Sequence, residues 1–182
     1  MPRIPDWTVD SLTPAQRQVH DAIVSGTRGV VEGPLRVWLQ SPELAQHAQA
    51  LGAFCRYGTS LAPRLSELAI LVMGAYWRAG FEWHAHAPLA LKAGVPAEIV
   101  EAIRKGETPH FAEPDMAAVH AVARELLETR GVSEPTYRAA EAQLGRTGVV
   151  ELVGILGYYT LISMTIKAFE VPVPAGSAEP FA

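Results

Sequence analysis

The stretch from Pro63 to Gly94 reads PRLSELAILVMGAYWRAGFEWHAHAPLALKAG. In its first half, Arg64 to Ala79, apolar residues recur at three- and four-residue steps, which is the period of an α-helix. Its second half, from Phe81 to Ala93, is predicted to be another helix that stops at Gly94. Gly80 separates the two halves. The stretch therefore predicts a helical hairpin whose two helices pack antiparallel.

Pro88 complicates the second helix of this hairpin. A proline has no N–H to donate to the carbonyl of the residue four positions earlier, here His84. We therefore expect a kink, or a helix start near Pro88.

The rest of the chain also reads as helices separated by Gly and Pro. The other predicted helices run from Thr13-Pro14 to Gly26, from Ser41-Pro42 to Gly58, from Pro96 to Gly106, from Asp115 to Arg130 with Gly131 as the stop, from Glu134 to about Leu144, and from Thr147 to about Phe169. Strand signals at Val30-Val31 and at Val171 to Val173 are short and flanked by Gly or Pro. The predicted class is an all-α helical bundle.

Composition limits both the architecture and the function. The chain has 182 residues, of which 49% are apolar and 19% charged, as expected for one folded domain over residues 1–182. A net charge of −4 argues against nucleic acid as a partner, because binding phosphate needs a basic surface. The chain holds one cysteine, Cys55, so no intramolecular disulfide can form.

The longest apolar, uncharged run, Leu152 to Ile166, is too short for a membrane span, which needs about 20 residues. The N-terminal residues lack the apolar run of a signal peptide, so we expect a cytoplasmic protein that does not enter a membrane. The last helix is apolar on nearly all sides, which favours a homo-oligomer, whether dimer, trimer or hexamer.

The chemistry concentrates in the segment Phe81 to His86. On a helix, Glu82 and His86 share a face, since they are four residues apart, and His84 points to nearly the opposite side. On a strand, Glu82, His84 and His86 would share one face and could bind a metal ion. The flanking helical pattern favours the helix, so we expect no metal, and a metal-dependent enzyme that uses these three residues is the alternative.

Glu67 lies on the first helix of the hairpin, a few turns before Gly80, as His86 lies a few turns after it. Glu67, His86 and Glu82 can therefore meet as a carboxylate–imidazole–carboxylate set. Such a set suits proton transfer, because histidine titrates near neutral pH and carboxylates orient it. A Glu–His pair at this spacing is also common on helix surfaces. The apolar neighbours of Glu67 favour the catalytic interpretation, because an unpaired charge among them would be costly.

At these residues the chain resembles the carboxymuconolactone decarboxylase family, which shares the all-helical fold of the alkyl hydroperoxidase AhpD. The resemblance is most specific over residues 63–94 and extends more loosely over a core of about 33–171. The segment from Glu151 to Thr160 is also typical of long single-domain members.

The resemblance implies which chemistry to expect. The peroxidase branch uses a Cys-x-x-Cys pair, an upstream glutamate and a histidine four residues after the second cysteine. Glu67 and His86 match the last two, but Ala79 and Glu82 occupy the cysteine positions. Thiol–disulfide chemistry needs an attacking and a resolving thiol. The resemblance therefore implies a decarboxylase without a cofactor, in which Glu67, Glu82 and His86 are the candidate catalytic residues.

We expect a small anionic substrate, a carboxylated lactone or an oxo acid. The candidate substrate-binding residues are Trp77, Trp83, His84, Arg64 and Tyr158, with Tyr159, Arg56 and Arg78 as further choices. Arginine suits carboxylate recognition. A peroxidase-related protein and a non-catalytic binding protein remain alternatives, and a sealed cavity at Glu82 and His86 would favour the latter.

Overall fold

The computed structural model describes residues 2–4 and 6–182, and it is all-helical over these residues. After a short 3-10 turn at Val9–Ser11, the helices are α1 (Pro14–Ser25), α2 (Pro34–Trp38), α3 (Pro42–Tyr57), α4 (Pro63–Tyr76), α5 (Gly80–Ala93), α6 (Ala97–Lys105), α7 (Pro114–Thr129) and α8 (Glu134–Phe169). The predicted all-α class is confirmed.

Helix starts follow the sequence signals closely. At the start of α1, the Gln16 backbone N–H donates to Thr13 Oγ1 at 3.3 Å and the Thr13 N–H donates to Gln16 Oε1 at 2.9 Å, which forms a capping box. Five helices begin with proline at their first position. Proline is tolerated there because a backbone N–H at that position would have no acceptor within the helix. Gly94 and Gly106 end α5 and α6 in the left-handed conformation, with φ of 101° and 76°.

Helix α4 is the centre of the fold. It packs against α5, α6, α7 and α8. Every residue from Leu68 to Met73 is almost fully buried, so α4 is apolar on all sides rather than along one stripe. Trp38 Nε1 donates to Thr165 Oγ1 at 2.9 Å, which ties α2 to α8.

Helix α8 is interrupted at Gly145, whose φ of 69° and ψ of 168° are not helical. The sequence predicted two helices with their break between Leu144 and Thr147, so this break is confirmed. Within the described residues, α8 is the one helix long and apolar enough to cross a membrane by length and composition alone. Its most apolar window has a mean hydropathy of 1.7 and is 56% buried, as in the core helix of a folded domain.

Several predicted boundaries were wrong. Helix α4 ends at Tyr76 rather than Ala79, and the turn is made by Arg78 with a φ of 48°. Gly80 is the first residue of α5 and not a stop, and it leaves room for the Glu179 carboxylate, which would lie 2.3 Å from a Cβ there. Helix α5 does not start at Pro88 but runs through it.

Two smaller predictions also differ from the structure. Helix α7 ends at Thr129, and the residue that caps it is Arg130, which is left-handed with a φ of 62°, so Gly131 is not the stop. Helix α2 was not predicted, because five residues are too few to show a helical period. Neither weak strand signal, at Val30-Val31 or at Val171 to Val173, forms a strand in the described structure.

Gly33 holds α2 against α5. Its φ of 53° and ψ of −129° are accessible mainly to glycine, and a Cβ there would lie 2.3 Å from the Phe81 ring. Gly29 offers a matched position, because its φ is 72° but a Cβ there would have no atom of the described structure within 4 Å.

We predict that Gly33→Ala lowers the free energy of unfolding by about 2–4 kcal/mol, the sum of backbone strain and overpacking against Phe81. Gly29→Ala should lower it by only about 1 kcal/mol, since it adds strain alone. Urea unfolding of both variants checks this. Equal losses would show that the contact with Phe81 does not position α2.

Candidate active site

The α4–α5 hairpin brings three titratable side chains together in the protein interior. Glu67 lies on α4 between the buried residues Ser66 and Leu68, and Glu82 and His86 lie one turn apart on α5. The side chains of His86, Glu82 and Glu67 are 4%, 5% and 13% exposed. As the sequence predicted, the structure brings Glu67, Glu82 and His86 together.

The imidazole of His86 lies between the two carboxylates. Its Nδ1 is 2.7 Å from Glu67 Oε2, within hydrogen-bond distance. Its Nε2 is 3.0 Å from Glu82 Oε1 and 3.4 Å from the hydroxyl oxygen of Tyr159. The Tyr159 ring meets the imidazole edge to face, with ring centroids 5.3 Å apart.

The two carboxylates contact the imidazole differently. Glu67 makes an aligned hydrogen bond, whereas Glu82 is within ion-pair distance but outside hydrogen-bond geometry. The buried Glu82 Oε1 therefore has no hydrogen-bond partner among the described residues. The charge of this carboxylate is instead compensated by the imidazole of His86, whose Nε2 lies 3.0 Å away.

Electrostatics make His86 an acid at neutral pH. Burial alone lowers the pKa of His86, but the Glu82 charge and the Glu67 hydrogen bond together raise it from 6.5 to about 9. Burial, reinforced by the charge of Glu82, raises the pKa of Tyr159 well above its usual value of 10. At pH 7, His86 is thus an imidazolium and the phenol of Tyr159 keeps its proton.

A cavity of about 210 Å³ is lined by Glu82 and His86, whereas Glu67 lies behind the imidazole and does not line it. Its walls combine polar and apolar groups from the loop before α2, the end of α3, α5 and α8. The lining residues that bear on function are Arg28, Arg56, Glu82, His86, Tyr158 and Tyr159. Glu32 also lines the cavity, so an imidazolium, two carboxylates and two guanidinium groups border one small pocket.

The structure brings only some of the predicted substrate-binding residues to this pocket. Tyr158 lines it, as do the further choices Tyr159 and Arg56. Arg64 lies outside it and pairs with Asp115 at 2.6 Å. Arg78 also lies outside it, where its guanidinium donates to the carbonyl of Phe181.

The aromatic residues at the hairpin turn have packing roles. Trp83 is buried against Phe181, with ring centroids 5.4 Å apart, and Trp77 packs edge-on against Tyr76. His84 is exposed on the other side of α5. The assignment of Trp77, Trp83, His84 and Arg64 to the substrate pocket is corrected, because none of the four lines it.

Arg28 is the pocket residue that sequence reasoning missed. It lies in the loop after α1, far from the hairpin in the chain, and no motif marks it. Only its position in a loop between two Gly residues, Gly26 and Gly29, distinguished it in the sequence. Because loops often carry binding residues, this signal was present but weak.

The geometry bears on the metal alternative. His84 is exposed while Glu82 and His86 are buried, so these three side chains do not converge. Across residues 2–4 and 6–182, no group of three or more His, Cys, Asp or Glu side chains is arranged to hold a metal ion.

Cys55 lies away from the buried carboxylates. It is buried in α3 and lines a different surface cavity with Phe54 and Val150. Burial raises the pKa of the Cys55 thiol, although the charge of Arg28 opposes this. A buried thiol with a raised pKa is a poor nucleophile at neutral pH.

Comparison with known proteins finds one matching family and several structures of the same fold. The family model described as "Carboxymuconolactone decarboxylase family" matches residues 42–125, which include α3, the α4–α5 hairpin and most of α7. None of the curated proteins compared with the chain matches it significantly.

Three solved structures share the fold. One is described as the alkylhydroperoxidase AhpD core, an uncharacterized peroxidase-related protein from Ralstonia eutropha JMP134. Its TM-score is 0.77 and its sequence identity is 13%, and the match covers 99% of this chain and 94% of that protein's chain. A peroxidase-related protein from Silicibacter sp. TM1040 has a TM-score of 0.75 and a sequence identity of 13%. The match covers 96% of this chain and 93% of that protein's chain. A protein from Agrobacterium tumefaciens described as a "Putative Antioxidant Defence Protein AhpD" has a TM-score of 0.66 and a sequence identity of 14%. The match covers 79% of this chain and 99% of that protein's chain.

The raised pKa of His86 predicts how stability depends on pH. Because the folded pKa of about 9 exceeds the unfolded value of 6.5, the folded state binds an extra proton between these pH values. The stabilisation is therefore complete below pH 6.5 and is lost as pH rises through 9, by about 3 kcal/mol in all.

Urea unfolding of the wild type and of His86→Gln from pH 6 to pH 9.5 measures this. The variant should be much less stable at pH 6, and the difference should shrink as pH rises. His84→Gln, at an exposed position of the same helix, should follow the wild-type curve. A constant difference between wild type and His86→Gln would contradict the raised pKa.

Proposed function

We propose that this chain is an acid–base enzyme that needs no cofactor. Its residues 42–125 match the model of the carboxymuconolactone decarboxylase family, and its fold is AhpD-like. Its activity would be that of a carboxy-lyase resembling 4-carboxymuconolactone decarboxylase. Its substrate would be a small carboxylated lactone or oxo acid. The observation that carries this proposal is the buried Glu67–His86–Glu82 set, of which His86 and Glu82 line a pocket.

His86 is the proposed proton donor. In a decarboxylation, the C–C bond to the carboxylate breaks, CO2 leaves, and the electron pair passes into an adjacent carbonyl or conjugated system. The resulting enolate then needs a proton on carbon. The Nε2 side of His86 faces Glu82, Tyr159 and the pocket, and a pKa of about 9 keeps that proton available at neutral pH.

Glu67 and Glu82 have different roles in this proposal. Glu67 is a positioning residue, because its hydrogen bond to Nδ1 fixes the ring and leaves Nε2 toward the pocket. Glu82 lines the pocket and has a buried oxygen without a hydrogen-bond partner in the described structure. It can accept a proton from the substrate or return one to His86.

The competing classes are less well supported. A thiol peroxidase of the family's usual kind needs two cysteines where this chain has Ala79 and Glu82, and Cys55 lines another cavity. A purely non-catalytic binding protein would have no need for buried charges beside a pocket, since such charges are costly to bury.

We propose a cytoplasmic location, in line with a thiol that forms no disulfide.

We predict that His86→Gln reduces turnover by about 10²–10⁴-fold, the usual contribution of a general acid. The assay follows CO2 release from 4-carboxymuconolactone and from a panel of 2-oxo and 3-oxo acids. Glu67→Gln should keep partial activity but shift the pH optimum to lower pH, because His86 loses a charge that raises its pKa.

Two control variants make this test specific. His84→Gln should retain full activity, because His84 is exposed and outside the pocket. Cys55→Ser should also remain active, which a thiol mechanism would not allow. Circular dichroism verifies that each variant is folded. A folded His86→Gln protein with wild-type turnover would refute the proposal.

We also infer that the chain forms a homo-oligomer through α3 and α8. Leu51, Phe54 and Val153 are each about half exposed, and Val150 is 72% exposed. Leu51, Phe54 and Val150 line one surface cavity, so they form a common apolar patch. Apolar patches of this kind on a folded domain commonly mark protein interfaces.

We predict a mass in light scattering of at least twice the monomer mass of 19.6 kDa at micromolar concentration. Val150→Asp should shift the protein toward the monomer, whereas Val24→Asp, at an exposed site on α1, should not. A monomeric wild-type protein would rule out this interface.

A further inference from the structure

The pocket holds a base as well as an acid. Loss of CO2 leaves an enolate that needs only a proton donor, which is the role proposed for His86. Glu82 is a second titratable group on the pocket wall, and its side chain is 5% exposed. A buried carboxylate beside a substrate pocket is a candidate general base. The decarboxylation therefore leaves this carboxylate without a required step.

The base and the acid are in direct contact. Glu82 Oε1 lies 3.0 Å from His86 Nε2, and both side chains line the same cavity. Glu67 holds the other ring nitrogen, Nδ1, at 2.7 Å, so Nε2 is the nitrogen that can serve the pocket. A carboxylate and an imidazolium this close together can act on nearby carbon atoms of one substrate, the first removing a proton and the second supplying one.

Tyr159 adds a hydrogen-bond donor to the same pocket. Its hydroxyl oxygen lies 3.4 Å from His86 Nε2, and the residue lines the cavity. Both nitrogens of an imidazolium are donors, so the tyrosine oxygen accepts at this contact. The Tyr159 O–H proton is then left without an acceptor among the described residues. Such a donor can stabilise the oxygen of an enolate, where negative charge develops.

We propose that this pocket also catalyses the 1,3-shift of a proton in small β,γ-unsaturated lactones or ketones. Glu82 removes a proton from the carbon between the carbonyl and the double bond. The electron pair of that C–H bond moves into the carbonyl, and Tyr159 donates a hydrogen bond to the resulting enolate oxygen. His86 then protonates the far end of the conjugated system, and the double bond comes to lie next to the carbonyl.

The contact between the two side chains also restores them after each reaction. Glu82 ends the reaction with the substrate's proton, and His86 ends it without one. Transfer of that proton across the 3.0 Å contact returns both groups to their starting forms. The substrate loses one proton and gains one, so no oxidant, reductant or cofactor takes part. This inference rests on the role of His86 proposed above, but it requires no loss of CO2 and no carboxylate on the substrate.

Two small ring compounds test this activity. α-Angelica lactone is a β,γ-unsaturated lactone and 3-cyclohexenone is a β,γ-unsaturated ketone. Each has a conjugated isomer that absorbs more strongly in the ultraviolet and that proton NMR identifies. Neither compound carries a carboxylate, so neither can report decarboxylation. The full chain at pH 7 should convert at least one of them faster than the uncatalysed reaction.

Variants assign the activity to the pocket. Glu82→Gln and His86→Gln should each slow the isomerisation by about 10²–10⁴-fold, the usual contribution of a general base or acid. Tyr159→Phe should slow it by about 10²–10³-fold, the loss expected for one donor to an oxyanion. Glu98→Gln on α6 and Tyr76→Phe at the end of α4 remove the same groups at exposed positions outside the pocket. Both should react as the wild type does.

Each outcome decides the question. If neither compound reacts faster than without protein, or if Glu82→Gln that is folded by circular dichroism reacts as fast as Glu98→Gln, the activity is refuted. Should Glu82→Gln fail to fold, the comparison of Tyr159→Phe with Tyr76→Phe decides in the same way. Isomerisation without CO2 release from the acid panel would overturn the proposed decarboxylation alone. CO2 release without isomerisation would overturn only this inference.

Discussion

A buried imidazolium between two carboxylates constrains the whole molecule. Moving isolated charges into an apolar interior costs several kcal/mol for each ion, unless opposite charges and hydrogen bonds compensate. Glu67 and His86 lie close enough to compensate each other's charge only when α4 and α5 pack antiparallel in one register. Sliding either helix by one residue would separate the pair and leave buried charges without partners, so the ion pair specifies the register of the hairpin.

Other elements of the fold complete this site. Helix α8 places the Tyr159 hydroxyl near His86 Nε2, and its neighbour Tyr158 contacts Arg28 from the loop after α1. Helix α8 also packs against α4, and its regular helix is interrupted by the non-helical backbone of Gly145. The pocket is what remains between these helices, so its charged walls come from distant parts of the chain.

Sequence patterns predicted the features that depend on neighbours in the chain. Glu82 and His86 share a helix face because they are four residues apart, and the hairpin puts Glu67 opposite them. The same reasoning misplaced Trp77 and Trp83, because aromatic residues near a site were read as its lining. In the structure these rings fill space around the turn and the C-terminal segment, where Trp83 packs on Phe181. Position in the sequence does not tell which side of a buried helix faces a cavity.

The sequence by itself determined the all-helical class, the hairpin and the buried acid–base set, since each follows from spacing along one or two adjacent helices. Only the tertiary structure decided which arginines share the pocket. Arg64 is nearest to the set in sequence but pairs with Asp115, while Arg28 reaches the pocket from a remote loop. The physical reason is that electrostatic partners are chosen by distance in space, which only the packing of helices and loops sets.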